Sequence, residues 1–291
     1  MISHHDVLTY EEIATVAHAA VELGINKLRL TGGEPLVRLG LTDLVRMLVG
    51  IKGVDDISLT TNGTLLSRYA AGLQGAGLKR VNISLDTLRE DRFRRITGGA
   101  AELGDVLAGI EAARSAGLEP VKLNMVVMSG INDDEVVDFA AKTIDEEWHV
   151  RFIEIMPVGG ISPPQSHPIP IAEMRKRLEP LGELQPCPPD AGSGPAKYFR
   201  FPNAKGTVGF ITPVSEHFCL RCNRMRLTAD GKLRPCLLAD DEIDLRGPLR
   251  GGVSLAELKE LIAAAVAAKP LRHGLMEGHS PHDRPMSQVG G

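Results

Sequence analysis

Between residues 9 and 24, apolar positions recur at helical spacing: Ile13, Val16, Ala20 and Leu23 fall on one face. Thr9 and Glu12 precede them as a capping box and Gly24 supplies a stop, which together predict a helix. "NKLRLT" then reads as a strand. The same device returns in "GAGLKRVNISLD" and "SAGLEPVKLNMVV", where a helix closes on glycine and an apolar strand begins a few residues later. Five strands are predicted: Lys27–Thr31, Asp56–Thr61, Arg80–Asp86, Val121–Met128 and Val150–Met156. Strands that alternate with helices predict a parallel sheet wrapped by helices. Polar or unusual residues follow these strands, as "TGGEP", "TTNG", "SLDT" and "MPVGG". In parallel α/β proteins the carboxyl ends of the strands carry the site.

From Ile161 to Gly194 the pattern gives way to proline, glycine and polar residues, interrupted by a helix around Ile171–Leu181. We therefore divide the chain into a barrel-like unit, 1–160, and a C-terminal segment, 161–291. In the second part "KYFRF", "TVGFITPV" and "RMRLTADGKLRPCL" predict antiparallel strands, the last folded back at Asp230-Gly231. Ser254 and Glu257 cap one more helix, and the chain closes on "RPMSQVGG".

A chain of 291 residues is long enough to bury a substantial core. Its formal charge of −4, from 33 basic and 37 acidic residues, gives no overall pull toward nucleic acid or an anionic membrane. No segment has the length or apolarity of a bilayer span, and the first residues lack a leader pattern, so a cytoplasmic protein is expected. The few aromatics show no RNA-binding arrangement among basic residues.

Three of the four cysteines lie in "HFCLRCNRMRLTADGKLRPCL". Cys219 and Cys222 form a CxxC, a spacing that lets two thiolates reach one metal centre, and the predicted turn folds Cys236 back onto them. The spacing alone does not choose between zinc and an iron–sulfur cluster. A closed zinc site needs a fourth ligand, for which His217 and distant Cys187 are candidates; three ligands and one open position suit a centre that binds substrate. Cys187 by itself reads as a loop thiol. The Gly-Gly-Glu-Pro turn could bring backbone close to a ligand, with Glu34 offering a carboxylate at the same rim. It is neither a Walker loop nor a dinucleotide fingerprint. Arg224 and Arg226, two apart, share one face of an extended segment and could fork onto phosphate oxygens. Arg29 and Lys122 sit inside apolar strands, where an unpaired charge is costly; they could face a barrel lumen, or pair with a carboxylate. His4, His5, His273, His279 and His282 lie in polar terminal stretches and read as solvated.

Taken together, "RLTGGEPLVR", "LTTNG", "NISLD", "RFIEIMPVG", the CxxC-x13-C run and the terminal "GG" resemble the GTP 3′,8-cyclase family of radical S-adenosylmethionine (SAM) enzymes, which act in molybdenum cofactor biosynthesis. The resemblance spans nearly the whole chain in order. It implies a partial (β/α)6 TIM-like barrel followed by a C-terminal α+β segment with a second [4Fe–4S] cluster. By that resemblance Cys219, Cys222 and Cys236 match the ligands of the second cluster, whose open iron takes the guanine of GTP. Gly33, Ser84 and Met156 match SAM contacts. Arg29, Thr60, Lys122, Arg224, Met225 and Arg226 match GTP contacts. Gly290 and Gly291 match a tail needed for chemistry. The family cleaves SAM at an N-terminal cluster, and the deoxyadenosyl radical takes the ribose 3′ hydrogen before the new carbon radical attacks C8. Implied partners are GTP, an electron donor and the downstream cyclic pyranopterin monophosphate synthase, with neither nucleic acid nor membrane; a homodimer is left open.

One departure matters. The family's radical-generating cluster hangs on a CxxxCxxC, and here no cysteine precedes Cys187. The expectation is a barrel that lacks its first strand and a chain that starts just beyond the motif. An incomplete gene model is favoured over a natural truncation or an expressed fragment. These 291 residues alone are expected to take up at most one cluster and not to cleave SAM. The rival readings are a non-catalytic GTP-binding iron–sulfur protein, a zinc-binding structural module, and another radical SAM enzyme.

Overall fold

The computed structural model describes residues 4–156, 168–189, 192, 194–277 and 284–289. Helix α1 (Tyr10–Glu22) begins at the Thr9–Glu12 capping box, closed in both directions, and ends before Gly24, whose φ of 91° needs no Cβ to be accommodated. Five strands follow: β1 (Lys27–Leu30), β2 (Asp56–Thr61), β3 (Arg80–Ser84), β4 (Lys122–Val127) and β5 (His149–Glu154). They pair in sequence order and in parallel. Between them run α2 (Leu41–Val49), α3 (Leu66–Gly75), α4 (Glu90–Thr97), α5 (Leu103–Ser115) and α6 (Val136–Asp145). The chain continues through α7 (Ile171–Leu178), β6 (Gln185–Pro186), β7 (Lys197–Arg200) and β8 (Thr207–Ile211). Strand β8 pairs parallel to β5, and β7 and β6 add antiparallel strands, so residues from both halves of the sequence build one eight-stranded sheet. Among the described residues β1 is an edge, bonded only to β2.

The strand period of two sorts the sheet's faces. Ile57, Leu59, Val81, Ile83, Leu123, Met125, Val150, Phe152, Val208 and Phe210 are all nearly inaccessible and pack in one core with the helices. The helices meet them with i, i+3, i+4 stripes: Leu41, Leu44, Val45 and Leu48 in α2, and Val106, Ile110 and Ala113 in α5. The intervening residues, among them Arg29, Ser58, Thr60, Arg80, Asn82, Lys122, Asn124 and Arg151, point to the opposite, concave side. A partial barrel with an apolar exterior under its helices and a polar lumen results.

Strand β3 stops at Ser84, short of the predicted Asp86, because the Asp86 carboxylate takes the Val126 amide at 2.8 Å and diverts the ladder there. The face of α1 is also rotated from the expected one. Val16, Ala17 and Ala19 are buried while Leu23 is 42% exposed, since α1 is wedged between the main core and a second one. That second core joins α1 to α9 (Leu255–Ala267) and to a small sheet of β9 (Arg226–Leu227), β10 (Lys232–Arg234) and β11 (Ile243–Asp244). Short α8 (Arg246–Arg250) and α10 (Met286–Val289) complete the described chain. No described helix is long and apolar enough to cross a membrane.

Candidate functional site

At the carboxyl ends of the strands, loops are held by carboxylates that collect donors. Glu34 of the Gly-Gly-Glu-Pro turn accepts from the Leu36 amide (2.9 Å), the Thr61 hydroxyl (2.8 Å) and the Asn62 amide (2.7 Å). Its carboxylate therefore ties the β1 loop to the β2 loop instead of standing open at the rim. Glu154 does the same for the loop after β8, accepting from the Val214 and Ser215 amides at 3.1 and 3.0 Å and from the Ser215 hydroxyl. Fully buried Glu135 accepts from Thr87 Oγ1 and the Leu88 amide, each at 2.6 Å, and pairs with Arg92. With these loops fixed, exposed Gly33 follows β1, Ser84 ends β3 and Met156 lies two residues past β5, all at the same end of the sheet. Asp86 belongs to this rim, and burial pushes its carboxyl up to about 6 even though the Val126 amide pulls the other way.

Below the rim the lumen is cationic. Register sets Thr60 opposite Asn82 and Asn82 opposite Lys122, which is buried with its ammonium 5.2 Å from the Tyr198 ring centre. Arg151 donates to Asn82 Oδ1 at 2.5 Å, yet its Nε and the neighbouring Asn124 Oδ1 are buried without a partner. Arg80 closes the amino-terminal end in a two-bond fork with Asp56, at 2.5 and 2.6 Å. Arg29, on the edge strand, is exposed overall, and its Nε lies 3.4 Å from the Ser58 hydroxyl on the lumen side. Burial pushes its guanidinium down to about 10, and the charges of Arg151, Arg80, Arg224 and Arg226 push the same way. Arg226 is likewise held at about 10 by burial, with Arg224 and Arg234 adding repulsion and the Cys222 and Cys236 sulfurs opposing it. Arginines from the sheet and from the cysteine hairpin thus converge on one place. Sequence inspection singled out Arg29 and Lys122; Arg80 and Arg151 share their strand alternation and went unnoticed.

The cysteine segment folds as anticipated, turning at Asp230-Gly231 with Gly231 at φ 80°. The ladder of β9 and β10 pairs Arg226 with Arg234 and Leu227 with Leu233, and the two arms beyond it carry Cys222 and Cys236. Cys219 and Cys222 are linked by a one-turn helix, the Cys222 amide donating to the Cys219 carbonyl at 3.0 Å. All four cysteines are free thiols and half-buried. Burial raises the Cys222 thiol, but the Arg224 amide and guanidinium, helped by Lys269, outweigh it and leave it below the ordinary value. Among the described residues no three His, Cys, Asp or Glu side chains stand close enough to share one metal ion. A mononuclear zinc needs all its ligands within about 2.3 Å of one atom. A cubane cluster binds each thiolate through a different iron and so accepts sulfurs set farther apart. His217 turns to His273 instead, ring centres 5.8 Å apart. Met225, between the two arginines, packs its side chain into the second core.

The terminal assignments partly change or fall away. His273, expected in solvent, is 7% exposed and bonded through Nε2 to the Pro213 carbonyl at 2.8 Å, because the chain after α9 folds back over the cysteine segment. His5 is exposed as expected, whereas the side chain of His4 and all of His279 and His282 lie outside the described residues. Gly290 and Gly291 lie outside them too. The tail just before them is anchored: Arg284 reaches both oxygens of Asp230 at 3.0 and 2.8 Å and both of Glu242 at 2.6 and 3.0 Å.

Comparison with known proteins agrees with this geometry. Residues 1–142 match the model of the Radical SAM superfamily, and residues 148–275 match that of Molybdenum Cofactor Synthesis C. The GTP 3',8-cyclase of Pelotomaculum thermopropionicum is 54% identical over 292 aligned positions, covering 100% of this chain and 89% of that protein. This chain belongs to the GTP 3',8-cyclase family. Further members of that name, from Moorella thermoacetica and Thermodesulfovibrio yellowstonii, are 52% and 48% identical; they cover 99% and 100% of this chain, and 88% and 89% of their own lengths. A GTP 3',8-cyclase family member is a radical SAM enzyme of molybdenum cofactor biosynthesis, and the fold class read from the sequence is the one found. Radical SAM chemistry entails a [4Fe–4S] cluster and SAM. Besides Cys219, Cys222 and Cys236 the sequence holds one cysteine, Cys187, whose amide donates to the Tyr198 carbonyl at 3.0 Å.

Proposed function

We propose that this chain binds GTP between the barrel lumen and the cysteine hairpin and orients it for 3′,8-cyclisation. The observation that carries this reading is the meeting of Arg29 with Arg224 and Arg226, beside Cys222 and Cys236, in a lumen also lined by Arg151 and Lys122. Such a gathering of guanidinium groups at one spot repels itself and is relieved by a polyanion, which a nucleoside triphosphate supplies. Lys122 and Arg29 would take phosphate oxygens from the sheet side and Arg224 and Arg226 from the hairpin side, while Thr60 lies in register with Lys122 through Asn82 and offers a hydroxyl. The buried, unpartnered Arg151 Nε and Asn124 Oδ1 suit a ligand with both acceptors and donors.

Cys219, Cys222 and Cys236 would hold a [4Fe–4S] cluster, and the cations around Cys222 favour the thiolate that a cluster needs. When bound, that cluster supplies an iron with an open coordination position for the guanine base. Gly33, Ser84 and Met156, at the strand ends above the cations, are the residues we assign to SAM, with their loops held by Glu34, Glu135 and Glu154. Gly290 and Gly291 are assigned to the chemistry. The protein's own contribution is then orientation and the exclusion of water. We place the functional division at 1–160 and 161–291, with an electron donor and the next enzyme of the pathway as partners in a cytoplasmic setting.

The experiment is anaerobic reconstitution followed by titration with GTP and ATP, read by nucleotide binding and by the cluster's electron paramagnetic resonance. GTP should bind and shift the resonance, and ATP should not. Equal binding of both nucleotides with no spectral change would remove the guanine–iron contact from the proposal.

A further inference from the structure

Residues 269–273, Lys-Pro-Leu-Arg-His, follow α9 and touch the segments that flank Cys219, Cys222 and Cys236. The Lys269 ammonium donates to the Arg224 carbonyl at 2.7 Å and to the Pro235 carbonyl at 2.6 Å. Arg224 is two residues past Cys222, and Pro235 immediately precedes Cys236. One cation therefore bridges the two arms on which those cysteines stand. Four residues on, His273 Nε2 donates to the Pro213 carbonyl, its Nδ1 accepts the Leu275 amide at 3.3 Å, and its ring packs edge-on against His217, two residues before Cys219.

The need for such a bridge follows from the ladder. Strands β9 and β10 are in register only at Leu227–Leu233 and Arg226–Arg234. A two-pair ribbon is too short to fix the ends that splay beyond it. No ladder bond reaches Cys222 or Cys236, so their separation must come from elsewhere. Charge-assisted donation to two carbonyls is a strong, directional way to set it. Pro270 stiffens the chain behind the lysine by fixing its own φ.

We propose that Lys269 is a positioning residue for the three-cysteine centre: it sets the separation of the Cys222 and Cys236 arms, while His273 holds the approach to Cys219. This deepens the cluster assignment made above and rests on it for its metal readout only. The test compares wild type with Lys269→Met, Lys269→Arg and, as a control, Lys259→Met, a lysine of α9 whose ammonium pairs with Glu22 of α1 and not with the cysteine arms. Two readouts are taken: hydrogen exchange of the metal-free chain, and iron content with electron paramagnetic resonance after anaerobic reconstitution.

In Lys269→Met, amides of residues 222–226 and 235–238 should exchange at least tenfold faster while β1 to β5 stay unchanged. Bound iron should fall severalfold, and any remaining cluster should show a changed resonance. Lys269→Arg, whose fork can reach both carbonyls, should keep at least half the iron, and Lys259→Met should match wild type. Unchanged exchange in the arms, or full iron with the wild-type resonance in Lys269→Met, overturns the proposal. Should Lys269→Met fail to fold, Lys269→Arg decides: native exchange with less than a tenth of the iron overturns it, and native exchange with half the iron or more supports it. If wild type binds no iron yet the arms still loosen in Lys269→Met, the cluster assignment fails and the clamp stands.

Discussion

The barrel sheet and the cysteine hairpin both present cations to the same space, but they hold them in place by opposite means. In the sheet, position comes from register: Ser58 faces Arg80, Asn82 faces Lys122 and Asn124 faces Arg151, each pair fixed by strands of five or six residues over a closed apolar core. In the hairpin the ladder holds two pairs, and the rest depends on side chains arriving from far along the chain, Lys269, His273 and Arg284. The difference teaches where each half is vulnerable. Single changes in the lumen should alter binding without disturbing architecture, whereas single changes around the hairpin should alter the architecture on which binding depends.

Four measurements break or sharpen that contrast. The largest effect is expected for Cys222→Ser, which should drop bound iron below a tenth of wild type in an anaerobic iron assay; Cys187→Ser should leave it intact. Next, Glu135→Ala leaves buried Thr87 Oγ1 and the Leu88 amide without their acceptor, and leaves Arg92 with Asp134 alone; it should cost roughly 3 kcal/mol in urea unfolding. A loss near zero there would show that the rim is not held by its carboxylates. Third, Arg29→Met removes one guanidinium from a crowded set and should weaken GTP binding about tenfold by calorimetry, with little effect on guanosine and no loss of thermal stability. A large drop in melting temperature would contradict the view that lumen cations serve a ligand more than the fold.

The smallest effect concerns pH. Burial raises the Asp86 carboxyl to about 6 in the folded chain, so the folded state holds its proton more tightly than the unfolded state does. That contribution to stability is complete below the ordinary carboxylate range and is lost as pH rises through about 6. Asp86→Asn should therefore narrow the difference in urea midpoint between pH 4.5 and 7.5. An unaltered difference would mean that Asp86 is not the group responsible.

Much of the fold could be read from alternation and capping, because those signals are local. Both capping boxes, all five barrel strands and the Asp230-Gly231 turn lie where "TYEE", "VSLAE" and the apolar runs place them. Arg29 and Lys122 were legible as facing a lumen or pairing with a carboxylate for the same reason: a charge inside an apolar strand has few places to go. What escaped was set by partners distant in sequence. Glu34 looks like a ligand carboxylate until Asn62 and Thr61 are folded against it. His273 looks solvated by residue type and position, and only the Pro213 carbonyl, sixty residues away, buries it. The stripe on α1 reads as a single face because one helix alone does not announce that it serves two cores.

The alternation of the sheet has one more consequence. Sliding β4 or β5 by a single residue would turn Lys122 or Arg151 under the helices and send Leu123 or Phe152 into the lumen. Mispairing of these strands is thereby penalised, so the lumen charges also favour the correct alignment during folding. Replacing several of them with apolar residues would cost more than affinity; it would license the wrong alignments.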